Sequence, residues 1–177
     1  MATTSAQPPS QTAQWIGTMI ARELETFARE LELCENDAVV WATRPGVTNS
    51  LGTLTLHICG NLQHFIGARL GQTGYVRDRD REFRARDIPR QDLVELAHTT
   101  LGVVRKVMPT LTDAQLAQEY PEAVGGVRML TGVFLTHLVA HTAMHLGQAG
   151  YLRRIVSGSG ARSAGPVPMK SLANLEP

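Results

Sequence analysis

The chain has 177 residues, 43% apolar and 19% charged, with a net charge of +1. That length suits one domain with a sizeable core, and the near-neutral charge excludes a global pull toward nucleic acid or membrane. No run of about 18 apolar residues exists to span a bilayer, the start lacks the pattern of a secretory signal, and Cys34 and Cys59 form neither a CxxC nor a zinc-type spacing, so a cytoplasmic protein without disulfides is expected.

Residues 1–12 contain Pro and Ser and read as a flexible N-terminus. Ile16, Ile20, Leu24, Phe27, Leu31 and Cys34 then recur at three and four residues, which predicts an amphipathic helix from about Ala13 to Cys34. Residues 36–50 read as a loop that ends in the cap candidates Thr48, Asn49 and Ser50. A second helix is predicted from Leu51 to about Leu70, with Leu54, Ile58, Leu62 and Phe65 on its apolar face. Gly52, Gly60 and Gly67 each cost this helix about 1 kcal/mol against alanine, and they read as points of close packing.

Residues 71–89 form a long connection. Between Arg77 and Arg90 it carries six arginines and four acids. Such mixed charge reads as a solvated loop, with an anion-binding loop at the rim of a site as the sharper alternative. Pro89 suits the first turn of a third helix, whose face is Leu93, Leu96, Ala97, Leu101, Val104 and Met108 and which Pro109 ends. Thr112-Asp-Ala-Gln115 is a capping-box pattern, and residues 120–128 read as a turn. A fourth helix is predicted from Gly132 to Val156, capped by Thr131 and stopped by Gly158, and residues 158–177 read as a flexible tail. Four amphipathic segments without a strand-period run predict an all-α bundle over residues 13–157.

Five of the six histidines fall on the second and fourth helices. His57, Asn61 and His64 are spaced i, i+4, i+7 and share one side of the second helix. His137, His141 and His145 are spaced by four on the fourth, with Gln148 three residues on. Neighbours at i, i+4 can share one ion, as in other His-x-x-x-His helix sites. His137 and His145 are too far apart for both to reach it. Geometry therefore leaves two pairs open, His137–His141 and His141–His145. Neutral imidazoles in a core need partners for both ring nitrogens, and a metal satisfies one nitrogen of each of three rings. Three histidines leave coordination positions open, as in a catalytic site rather than a closed structural one. Imidazole suits zinc, nickel, iron or copper. Asn61 and Gln148 are candidates for orienting ligands or substrate. His98, alone on the third helix, reads as structural or exposed, and Cys59, on the far side of the helix from His57, as a poor co-ligand. There is no HExxH and no GxSxG.

The stretches Asn49-Ser-Leu-Gly-Thr-Leu-Thr-Leu-His57-Ile-Cys-Gly-Asn61-Leu and His137-Leu-Val-Ala-His141-Thr-Ala-Met-His145-Leu-Gly-Gln148-Ala-Gly-Tyr-Leu-Arg153 resemble the two histidine segments of the DinB/YfiT-like superfamily. Arg77 to Arg86, with Glu82-Phe83, resembles the connection in one uncharacterised branch of it. The resemblance extends from about residue 12 to 157. It implies a four-helix bundle of order up-down-down-up, a homodimer, and a divalent metal such as zinc, nickel or iron held by His57, His141 and His145, which selects the second of the two pairs. Characterised members include thiol-dependent transferases and isomerases. The resemblance thus implies a small-molecule substrate and a metal-dependent thiol S-transferase using a low-molecular-weight thiol, with the arginines of 77–86 available to that thiol's carboxylates. A metal-dependent hydrolase and a non-enzymatic metal-binding stress-response protein are the alternatives. No catalytic residue beyond the metal ligands is singled out.

Overall fold

The structure, a computed structural model, describes residues 7–158, 160–165 and 168–172, so the expectations for the rest of both termini lie outside the described residues. All regular elements among the described residues are helical, and only isolated β-bridges join other segments.

Helix α1 spans Gln11–Glu32 and buries the predicted face, Ile16, Ile20, Leu24, Phe27 and Leu31. It begins two residues earlier than the periodicity indicates because Ser10 caps it: the hydroxyl accepts from the Ala13 N–H at 3.2 Å and donates to Asp113, while the Ser10 N–H donates to the Leu111 carbonyl at 2.7 Å. The stretch expected as a loop contains a short helix, α2 (Asp37–Trp41), capped by Asn36. Five residues are too few to show a period.

Helix α3 starts at Leu51 under the expected Ser50 cap and runs to Leu62. It continues as a π-helical stretch, Gln63–Ala68, and a last turn, Arg69–Gly71. Such stretches shift carbonyls out of the ordinary ladder. Here the buried Tyr120 hydroxyl donates to the Phe65 carbonyl at 2.7 Å. The glycines of α3 are points of close approach, as expected. A Cβ at Gly52 would stand 2.8 Å from the Trp41 ring, and one at Gly67 2.9 Å from Val103.

The long connection folds in part as α4 (Arg79–Arg84), capped by Asp78. Helix α5 spans Arg90–Val107, with Pro89 at the cap position rather than in the first turn. The capping box of Thr112 and Gln115 opens α6 (Asp113–Leu116) as predicted. Helix α7 spans Thr131–Ser157. Leu130, not Thr131, occupies its cap, and Gly158 ends it at φ 87°.

Both α1 and α3 pack against α5 and α7, around one core. Phe65 of α3 meets Phe134 of α7 with ring centroids 4.9 Å apart, and His57 meets His145 at 5.2 Å. Advancing along α3 therefore means going back along α7, so the two run antiparallel. The described part of the tail lies against α1. Buried Arg153 pairs with buried Glu30 and also donates to the Arg162 carbonyl, and the Ala164 N–H donates to Glu30 at 3.1 Å. Among the described residues no helix is long and apolar enough to cross a membrane.

Candidate metal centre

The antiparallel meeting of α3 and α7 sets His57 against His141 and His145. Their ring centroids lie 5.3 Å and 5.2 Å from that of His57 and 4.6 Å from each other. One ligand nitrogen from each ring lies within 4.8 Å of the other two. The remaining hydrogen bonds show which nitrogens these are. His57 Nδ1 faces Glu82 Oε2 at 3.0 Å, so it carries the proton and leaves the Nε2 lone pair free. His145 Nδ1 faces Gln148 Oε1 at 2.8 Å, with the same result. His141 Nε2 lies 3.2 Å from His145 Nε2.

These residues fit a metal. Two nitrogens held about 2.05 Å from a tetrahedral zinc stand about 3.3 Å apart, close to the His141–His145 separation. Two of the three rings are oriented by an acceptor on Nδ1, the arrangement that fixes tautomer and direction in metal sites. The third, His141, has a buried Nδ1 with no partner. Burial, then the charges of His145, His57, His137 and Arg77, push its ring down to about 4, and burial and His57 lower His145 despite its bond to Gln148. Both rings are therefore unprotonated at neutral pH.

This has a consequence for the metal-free protein. The folded His141 value lies below the unfolded value of about 6.5, so the unfolded chain binds more protons between the two. Stability is expected to be level above pH 6.5 and to fall as pH drops toward 4. Glu82 adds to the loss at lower pH. Burial opposes its ionisation, but bonds and charge from Arg77 and His57 outweigh that and hold it below the usual carboxylate range. Melting temperatures of the chelated protein at pH 7.5, 6 and 5 check this, and a flat profile would contradict it.

The acid behind His57 was not visible in the sequence. Glu82 sits on α4, buried, and Arg77 grips both its oxygens at 2.7 and 2.8 Å. Phe83 packs its ring 5.0 Å from that of His57. The charged connection is thus partly a built wall of the site. Arg77 is committed to Glu82 rather than open to a ligand carboxylate, Arg79 lies over Phe83 and Arg86 over Trp41. Gly60 makes room for this wall, since a Cβ there would overlap the Glu82 carboxyl. Gly60→Ala is expected to push Glu82 off His57 and cost about 1–3 kcal/mol, read in urea unfolding.

The other candidates fall outside the cluster. His137 is exposed, not core-facing, and stacks on Phe134 and His141. His64 is half-buried and bonded to Glu122. His98 is exposed. Asn61 is buried with no partner for its Oδ1. Cys59 is buried outside the cluster, its thiol pushed up to about 12 by burial, and both cysteines are free.

A family model described as "Protein of unknown function (DUF1572)" matches residues 12–164. No curated protein matches the sequence. Among solved structures, the conserved protein of a locus from Enterococcus faecalis is similar with a TM-score of 0.65 and 17% identity, over 82% of this chain and 97% of that one. At that identity the likeness is one of fold.

Proposed function

The chain belongs to the family of unknown function DUF1572, and we propose that it is a divalent-metal-binding protein of the DinB/YfiT type, a thiol S-transferase that uses a low-molecular-weight thiol. One observation carries this reading: three imidazole nitrogens converge, and no carboxylate or cysteine joins them among the described residues. Three neutral ligands leave a position for a small molecule. A bound divalent ion such as zinc, nickel or iron would supply Lewis acidity there and lower the pKa of a thiol or water that reaches it.

The chain's own residues favour the thiol over water. Glu82 faces the Nδ1 side of His57 and is gripped by Arg77, so it is not a base for a nucleophile on the Nε2 side. A thiol, with an ordinary pKa of about 8.5, needs a far smaller shift to ionise at neutral pH than water does. Glu82 and Gln148 instead hold the rings of His57 and His145 in the direction a ligand requires. Wild-type protein loaded with zinc is expected to consume glutathione or cysteine in the presence of an electrophile. Ester hydrolysis indifferent to added thiol would instead support the hydrolase, and no turnover combined with a large fall in melting temperature on chelation the non-enzymatic reading.

The finer architecture belongs to the same proposal. An up-down-down-up four-helix bundle is supported by the packing of α1 and α3 against α5 and α7 and by the antiparallel run of α3 and α7. A homodimer is supported by the exposed apolar side chains Met144, Tyr151 and Ile155, which recur along one side of α7. A small-molecule substrate and a cytoplasmic location complete it.

A further inference from the structure

Seven residues beyond His57 on α3, a second histidine is held as His57 is held, but by other residues. His64 Nε2 lies 2.8 Å from Glu122 Oε1, and Arg69 pairs with the other oxygen of Glu122 at 2.5 Å. In the metal cluster the same His–Glu–Arg order is His57, Glu82 and Arg77. The difference is which ring nitrogen is used. Glu82 takes Nδ1 of His57 and frees Nε2. Glu122 takes Nε2 of His64, so the proton sits there and Nδ1 keeps the lone pair in the neutral ring. That Nδ1 makes no hydrogen bond among the described residues, and His64 is outside the metal cluster. An imidazole oriented by a carboxylate, with its other nitrogen free, is the base–orienter pair of acid–base catalysis.

Side-chain contacts connect the two places. Arg77 Nη2 lies 3.5 Å from His57 Nδ1, its guanidinium lies over the Phe65 ring at 5.6 Å, and His64 meets that ring at 4.8 Å. Between the two histidines on the same helix face stands Asn61, buried, with an unpartnered Oδ1. Seven residues of helix set the two histidines about 10 Å apart along the axis.

We infer that His64 is an acid–base residue for chemistry at the three-histidine cluster, and that the electrophile is one with a basic oxygen leaving group, such as an epoxide. This rests on the transferase reading. The thiol gives its proton to solvent. Its sulfur forms the S–C bond, and the C–O bond breaks with its electron pair on oxygen. That oxygen takes the Nδ1 proton of the protonated His64 ring, and the ring recovers a proton from solvent. The sum is thiol plus epoxide giving a hydroxy-thioether. Glu122 accepts the Nε2 proton in both ring states, so Nδ1 alone changes.

The test compares wild type with His64→Gln, both zinc-loaded, using glutathione with styrene oxide and with 1-chloro-2,4-dinitrobenzene. Chloride leaves without a proton. Metal content is expected to be equal. The variant is expected to lose about 100-fold or more on the epoxide and little on the aryl chloride. Equal loss on both, or no loss on either, would overturn the inference while leaving the transferase reading intact. A wild type that binds metal and turns over neither would overturn both. A readout free of activity is the histidine side-chain 1H–15N spectrum of the whole wild-type protein. His64 is expected to carry its neutral-form proton on Nε2, and to lose that preference in Glu122→Ala, which removes the acceptor. A neutral ring protonated on Nδ1 would overturn the inference.

Discussion

Replacing Glu82 with alanine is expected to cost about 3–5 kcal/mol of stability, the range for removing one partner of a buried ion pair, and to weaken metal binding by about 10–100-fold. The two effects share one cause. Glu82 is buried, accepts from His57 Nδ1, and neutralises Arg77 with both oxygens. Without it the Arg77 guanidinium stays among Phe65 and His57 with no counter-charge, and the His57 ring loses the acceptor that fixes its tautomer. Glu82→Gln keeps an acceptor for His57 but not the charge. It is expected to retain more metal affinity than alanine while remaining destabilised. Urea unfolding of the chelated protein reads the first effect and zinc titration the second. An alanine variant with wild-type unfolding midpoint and wild-type zinc affinity would show that the carboxylate does not hold the ring.

Glu30→Ala is expected to destabilise by a similar amount, about 3–5 kcal/mol, and to leave zinc affinity unchanged. Glu30 and Arg153 are both buried, and Glu30 also accepts the Ala164 N–H from the tail. Its loss strands the Arg153 charge and frees the segment around residue 164, at a place built from α1, the end of α7 and the tail rather than from the histidines. The two glutamates thus form a matched pair. Both substitutions lower the unfolding midpoint, and only that of Glu82 moves the metal affinity. If Glu30→Ala reduced zinc binding as much as Glu82→Ala, the loss in both would reflect general loosening of the fold.

The contrast also shows what the sequence makes legible. Histidines at i, i+4 on an apolar helix face announce themselves, because helical geometry alone aligns them, and Gln148 at i+3 from His145 is legible for the same reason. The four long helices follow from periodicity, with end errors of one or two residues where a cap such as Ser10 reaches across to another segment. Glu82 was hidden because its neighbours alternate in charge, which looks like a solvated loop. The interruption by Phe83 was the one local sign that the run turns inward. Gly60 signalled a close approach, but only the folded chain names Glu82 as what approaches. The π-helical stretch and the short helices α2 and α4 leave no period to read. A four-residue repeat rotates around the helix, so His137 turns out to the surface while His141 and His145 face His57.

The central claim is that His57, His141 and His145 together hold one divalent ion. The direct measurement is the zinc stoichiometry and affinity of untagged protein, titrated after chelation, beside His141→Ala and His137→Ala. One ion per chain in wild type and in His137→Ala, with loss of tight binding in His141→Ala, is the predicted result. Equal binding by wild type and His141→Ala, or none by either, would contradict it.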